Sequence, residues 1–319
     1  MTGVAGTAAA RPSPGRMTEA EFRGLYQRLR GQLPWGPEDR RGAMNHLTPA
    51  ETRAACREVE LGLTVSLAAP VESRVTPDNP EPARHQMMGP PAAQAGPGLA
   101  FGMDRIDMNI HGNVDSHIDA LCHVIFDGAL YNGVDAGTIT DSGAAELSIE
   151  SAAEGIVGRG VLLDVPRTRG VPWLEPGDSV TPDDLLATER DQDVQVGRGD
   201  ILLVHVGHRE RRNERGPWDA AAARAGLHPE VMSLLAERQV AVLGSDGNSD
   251  TAPSVADGVD FPVHVLAINA LGMMLLDYLQ FGDLVPVCRD ARRWSFLCVI
   301  APLRLPTATG SPINPIAVF

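Results

Sequence analysis

GVLLDV (residues 160–165) and GDILLVHVG (residues 199–207) are two short, continuous apolar runs, each opened by a glycine. Such runs read as strands buried on both faces, the kind found at the centre of parallel or mixed sheets. Between them TPDDLLATER (181–190) carries a helix start, with Thr181 as N-cap and Pro182 at the first helical position. VAVLGSD (240–246) and WSFLCVIAPL (294–303) read as further strands, and HPEVMSLLAERQV (228–240) and NALGMMLLDYL (269–279) as further helices. Strands alternating with helices predict an α/β fold with a mixed β-sheet core flanked by helices.

Upstream, TEAEFRGLYQRLR (18–30) reads as an amphipathic helix. Thr18 and Glu21 form a capping box, and Phe22, Leu25, Tyr26 and Leu29 share a face. LTPAETRAACREVELG (47–62) reads as a second helix, capped by Thr48 and ended near Gly62, before a short strand TVSLAAP (64–70). Residues 73–98 are crowded with Pro, Gly, Asn and Ala, which predicts a long irregular loop and a candidate lid. Residues 1–15 hold little to bury and are expected to be a mobile tail. No repeat or composition break divides the rest, so residues 16–319 are expected to form one domain.

Bulk chemistry narrows the function. The chain has 319 residues, 43% of them hydrophobic, with a net charge of -14, and a pI near 5.0. This acidic excess disfavours nucleic-acid binding, which needs clustered basic residues. All 27 basic residues are Arg. Schiff-base chemistry, a pyridoxal-phosphate anchor and a P-loop lysine are therefore excluded, because guanidinium neither deprotonates nor substitutes for an ammonium group. Cys56, Cys122, Cys288 and Cys298 are widely spaced, with no CxxC pair, and read as reduced thiols. No uncharged run approaches the roughly 18 residues of a membrane span, and no apolar leader is evident; a cytoplasmic location without membrane contact is expected.

The densest polar text is NIHGNVDSHIDALCHVIFDG (109–128), which places His111, Asp115, His117, Asp119, His123 and Asp127 in one short span. His117 and Asp119 are two apart and in an extended segment project to the same side; His123 falls one turn further on if a helix begins there. Imidazole and carboxylate without thiolate suit Zn, Mn or Fe(II), and an incomplete shell leaves room for water. The bland alternative is a buried His satisfied by an Asp partner.

This segment resembles the T-H-x-D-A-P-x-H signature of the cyclase family that includes kynurenine formamidase and isatin hydrolase. The likeness continues in Trp35-Gly36 with Asp39, Gly42 and Asn45, in GRGVLLDV (158–165) and VGRGDILLVHVG (196–207), in GSDGNSDTAPS (244–254), in FPVH ending at His264, in the LGMMLLDYL helix holding Asp277, and in GSPINP (310–315). It spans roughly Pro34 to the C-terminus. It implies a single domain of the swivelling β/α type, one or two divalent ions (Zn or Mn), a small-molecule substrate and a homo-oligomer, dimer or tetramer. It also implies that His117, Asp119, His264 and Asp277 are metal ligands, with Asp119 able to bridge two ions, and that His123 transfers a proton or supports the ligands. Asn113 stands where the formamidase branch has a His; His111, the nearest upstream imidazole, is assigned in its place. Leu121 replaces a Pro and Asp277 a Glu.

A metal-activated water opening an amide, lactone or ester is the first expectation. Cyclisation or dehydration of a natural-product intermediate comes second, and a metal-free ligand-binding relative, motivated by Asn113, third. No GxSxG elbow surrounds Ser245 or Ser311, and Cys122 reads as a small core thiol rather than a nucleophile. Trp35, His205, His208 and Asp246 are candidates for the substrate pocket. Each has a plainer reading: a packed corner for Trp35, and one core and one solvent-facing ring for His205 and His208. Asp246 and Asp250 of the GSDGNSD turn either orient a ligand His from behind or make turn hydrogen bonds, the commoner outcome. His46, His85 and His228 read as surface residues.

Overall fold

The computed structural model describes residues 15–319 except positions 33, 90, 92, 93 and 95. The expected mobile tail thus lies outside the described residues, save for Gly15. Nine strands form one mixed sheet: β1 (Thr64–Ser66), β2 (His117–Asp119), β3 (Ile156–Asp164), β4 (Ile201–His205), β5 (Val242–Ser245), β6 (Met274–Asp277), β7 (Ser295–Ile300), β8 (Gly310–Pro312) and β9 (Ile316–Val318). Their spatial order is β1-β9-β7-β3-β4-β5-β6-β2-β8. The four central strands β3, β4, β5 and β6 run parallel, and β2 closes against β6 in antiparallel sense. The apolar runs of β4, β5 and β6 are buried throughout, as the sequence implies for strands covered on both faces.

Helices pack on these faces: α1 (Glu19–Arg30), α2 (Pro49–Ala55), α3 (Val165–Arg169), α4 (Pro182–Gln192), α5 (His208–Arg215), α6 (Val231–Glu237) and α7 (Leu284–Ala291). Capping boxes start α1, α2 and α4 at Thr18, Thr48 and Thr181. The buried face of α1 is Phe22, Leu25, Tyr26 and Leu29, each contributing about 1.5–3 kcal/mol by leaving water. Two apolar layers result, one containing Ile118, Leu121, Leu203 and Phe296, the other Leu163, Leu202, Leu243 and Leu275.

Two expectations change. NALGMMLLDYL is not a helix. A turn of α-helix (Pro262–His264) runs into a π-helical segment (Val265–Ala270), and Met274–Asp277 is strand β6. A short apolar run has no period that separates a buried helix from a buried strand. Gly272 makes the break: its φ is +64°, and a Cβ there would lie 2.5 Å from Tyr131 and 2.7 Å from Gly42. Among the described residues, part of the 73–98 loop is regular. Arg84–Met87 pairs with Asp104–Asp107 as an exposed hairpin, and Arg212 holds Asp78 at 2.6 Å at the loop's base.

Candidate metal centre

In β2 the alternation of an extended chain turns His117 and Asp119 to one face of the sheet, and the antiparallel register sets Asp277 of β6 directly opposite His117. The carboxyl end of β6 therefore meets the amino end of β2, at the edge of the sheet where open α/β folds place their ligand crevices. His264 arrives from the helical turn that precedes β6.

Each side chain is aimed by a partner. His117 Nδ1 contacts the Asp115 carbonyl at 2.8 Å; a carbonyl only accepts, so Nδ1 is the donor, and this bond turns Nε2 towards the site. His264 Nδ1 lies 2.5 Å from Asp250 Oδ2, and Asp250 also accepts the backbone N–H groups of Val263 and His264. Asp277 accepts from Asn248 Nδ2 at 2.7 Å and Ser249 Oγ at 2.8 Å. His264 Nε2 then faces two carboxylates, Asp119 Oδ2 at 3.5 Å and Asp277 Oδ2 at 3.4 Å.

Asp119 Oδ2 is buried and accepts no hydrogen bond. Two sets of ligand atoms converge on this residue, His111/His117/Asp119 and Asp119/His264/Asp277, each within 4.8 Å. An unsatisfied buried oxygen among imidazoles and carboxylates fits a divalent cation, which would supply what no donor does.

The charges agree. Burial opposes ionisation of Asp119, yet His123, His111, His264 and His117 outweigh it and hold the carboxyl well below its ordinary range. Burial likewise opposes charging of His264, but Asp119, Asp250 and Asp277 raise it well above the usual imidazole value. Without an ion, this imidazolium is the counter-charge for the buried acids. His123 behaves oppositely: burial pushes it down to about 4 against the pull of Asp119, so its ring is neutral near pH 7. It stacks on His111 with ring centroids 3.9 Å apart, in a turn closed by its own N–H to the Ala120 carbonyl rather than in a helix.

A cavity of about 530 Å³ lies against the site, with Val124, Phe126, Val259 and Phe261 among its walls; Asp277 and Asp250 stand behind its lining. His111, His117, Asp119, His123 and His264 all line it, as does Asn113. His111 has both nitrogens engaged, Nδ1 with Asp119 Oδ1 at 2.8 Å and Nε2 with Thr309 Oγ1 at 2.9 Å. Asn113 Oδ1 accepts from the Tyr278 hydroxyl at 3.1 Å.

Comparison with known proteins identifies the family. The profile described as "Putative cyclase" matches residues 59–250, more than half of the chain. The chain belongs to the cyclase family. Among solved structures, a "novel cyclase" shares 31% identity with this cyclase-family chain, covering 89% of it and 98% of that chain at a TM-score of 0.78. Isatin hydrolase A from Labrenzia aggregata, bound to benzyl benzoate, shares 22% over 80% of this chain and 93% of its own, at a TM-score of 0.55. A "potential metal-dependent hydrolase with cyclase activity" shares 18% over 80% and 96%, at a TM-score of 0.50. No curated protein matches. Cyclase membership and the convergent His/Asp groups together support an enzyme that holds a divalent metal.

The pocket candidates Trp35, His205, His208 and Asp246 lie outside the cavity lining. Trp35 packs on His46, ring centroids 4.8 Å apart, and its motif is structural: Asp39 accepts from Gly42 N, Asn45 Nδ2 and the Tyr131 hydroxyl. His208 is buried between Trp218 and Tyr278. Asp246 accepts the N–H groups of Val206 and His208. His228 is not at the surface; it is buried, with Nε2 3.1 Å from the Gly15 carbonyl. Sequence reasoning missed Asn248 and Tyr278, which orient Asp277 and Asn113. The local signal was the Asn-Ser-Asp turn, whose side chains are free to bond inward.

Proposed function

We propose that the chain is a metal-dependent hydrolase that opens an amide, lactone or ester bond of a small carbonyl compound. The observation that carries this is the donorless Asp119 Oδ2 facing His264 Nε2. Asp119, His264 and Asp277 would hold a divalent ion, Zn or Mn; His117 and His111 would complete a second position that shares Asp119. Such an ion supplies Lewis acidity that polarises a carbonyl and brings the pKa of water towards neutrality.

The remaining work belongs to side chains. Asp250 and the Asp115 carbonyl keep His264 and His117 in the tautomers that present Nε2 to the centre. His123, neutral and beside Asp119, would accept the proton from the attacking water and return it to the leaving group. His111 would give up its hydrogen bond to Asp119 where a second ion binds. Val124, Phe126, Val259 and Phe261 exclude water and fit a flat apolar substrate. Isatin hydrolases take their name from isatin, and one carries benzyl benzoate; aromatic lactams and aryl esters are therefore the first compounds to assay.

The test removes metal with a chelator and restores it while following cyclic amides, aryl formamides and lactones. Loss of turnover on chelation and recovery with Zn or Mn is expected. Turnover that survives chelation, or a purified protein with under about a tenth of an equivalent of metal and no response to its addition, contradicts the reading. Ring closure at the same centre is the second reading, favoured by the 31% identical relative described as a cyclase.

A further inference from the structure

Outside the cavity, at the carboxyl ends of β3, β4 and β5, a second group of buried ionisable side chains takes no part in the reaction proposed above. Asp164 ends β3, His205 ends β4, Asp246 follows β5 and Glu210 stands in the first turn of α5. Asp164, His205 and Asp246 are buried. The Glu210 side chain keeps 33% exposure, which leaves the group a path to solvent.

Its arrangement repeats the one around His264. There, Nδ1 is tied to Asp250 while Nε2 faces Asp119 and Asp277. Here His205 Nδ1 lies 2.9 Å from Asp164 Oδ1, while Nε2 faces Glu210 Oε2 at 3.3 Å and Asp246 Oδ2 at 3.9 Å. The two sides of the ring differ in kind. The Nδ1 contact has the length of a charge-assisted hydrogen bond, about 2.7–2.9 Å, whereas Nε2 makes one long hydrogen bond to Glu210 and stands beyond hydrogen-bond reach of Asp246. Both Nε2 separations also suit atoms that share an ion at roughly 2.0–2.2 Å from each. All three facing atoms lie within 4.8 Å of one another. A carboxylate behind the imidazole is the usual device for orienting a metal-binding His.

The surrounding charge leaves room for a cation. Arg289 reaches Asp164 only at 3.5 Å, from the surface. Arg209 adjoins Asp246, but its Nη2 donates to the carbonyls of Val114 and Tyr278. The Asp246 oxygens accept one backbone N–H each, from Val206 at 2.7 Å and His208 at 2.6 Å, and each keeps a second lone pair.

We propose that His205 Nε2, Glu210 Oε2 and Asp246 Oδ2 form a further divalent-cation site, separate from the cavity and oriented by Asp164. One imidazole with two carboxylates suits Zn or Mn rather than a soft metal. The ion would fasten the ends of three parallel strands to the start of α5. Arg209 of that helix holds the carbonyls beside Asp115 and Asp277, so the site braces the cavity from behind.

The test counts metal in protein loaded with Zn(II) and freed of excess by gel filtration. Wild type, Glu210→Gln, Asp119→Asn and the double variant are compared, with circular dichroism confirming the fold. Gln at the partly exposed position 210 preserves size, and the Asp119→Asn protein tests the site without altering it. The expected result is one equivalent fewer in Glu210→Gln than in wild type, and an equivalent retained by Asp119→Asn that the double variant lacks. Equal metal in wild type and Glu210→Gln, or none in Asp119→Asn, overturns the proposal and leaves His205 as the imidazolium of three acids. Failure of the hydrolase reading shows elsewhere, as metal content that Asp119→Asn does not change.

Discussion

Asp119 is the residue on which the chemistry converges. It is fully buried, lies close to several imidazoles, and has one oxygen that no donor satisfies. Asp119→Asn keeps the shape but gives up the charge that both ligand groups share, and turnover should fall by at least about 10³-fold with loss of bound metal; inductively coupled plasma measurement beside the assay checks both. His123→Gln should lower kcat by roughly 10²–10⁴-fold, the range of general acid–base catalysis, while bound metal stays near wild type. Cys122→Ala should retain most turnover, since burial pushes that thiol up to about 11 and leaves no thiolate to attack. At this scale the sequence was most informative where ligands stand close together in the chain. His117 and Asp119 share a face because a strand has period two. The distant members were recognisable through the family pattern alone: nothing local to His264 or Asp277 says that they meet. His205 at the end of β4 and His208 at the start of α5 lie outside the cavity lining, and spacing alone does not tell which side of the sheet opens on the cavity.

At the scale of elements, the C-terminal edge of the central sheet explains why the site lies where it does. Strands β3 and β4 were legible as unbroken apolar runs, and the helices α1, α2 and α4 through their caps. Strand β6 was not, because MMLLD is too short to show a period and lies beside a true helical segment. Its proper reading depends on Gly272, whose left-handed backbone and contact with Gly42 are tertiary facts. Gly272→Ala meets a positive φ and backbone and ring atoms within 2.7 Å, so it should cost about 3 kcal/mol or more. Urea unfolding measures this, and a change under about 1 kcal/mol would mean that the junction holding Asp277 is not tight.

Over the whole molecule, buried imidazoles set the response to pH. Burial, reinforced by Arg209, pushes His208 down to about 3. The unfolded chain takes up that proton near pH 6.5 and the native one does not, so the unfolded state binds more protons between those values. Stability is therefore full above about pH 6.5 and falls as pH drops towards 3, by about 2 kcal/mol per 1.5 pH units from this ring. His46 and His123, each lowered to about 4, act in the same sense. In the metal-free protein His205 and His264 have raised values; their stabilisation is complete below about pH 6.5 and lost only as pH rises through the folded values. Melting curves of wild type and His208→Gln between pH 7 and 5 should diverge, with the variant less sensitive to acid.

The central claim is that ligands from β2, β6 and the turn before β6 enclose one cation. Anomalous diffraction at the Zn or Mn absorption edge, from crystals grown with that metal, tests it most directly. A peak about 2.0–2.2 Å from Asp119 Oδ2 and His264 Nε2 is the predicted result; a fully loaded protein with no anomalous density between Asp119, His264 and Asp277 would contradict it.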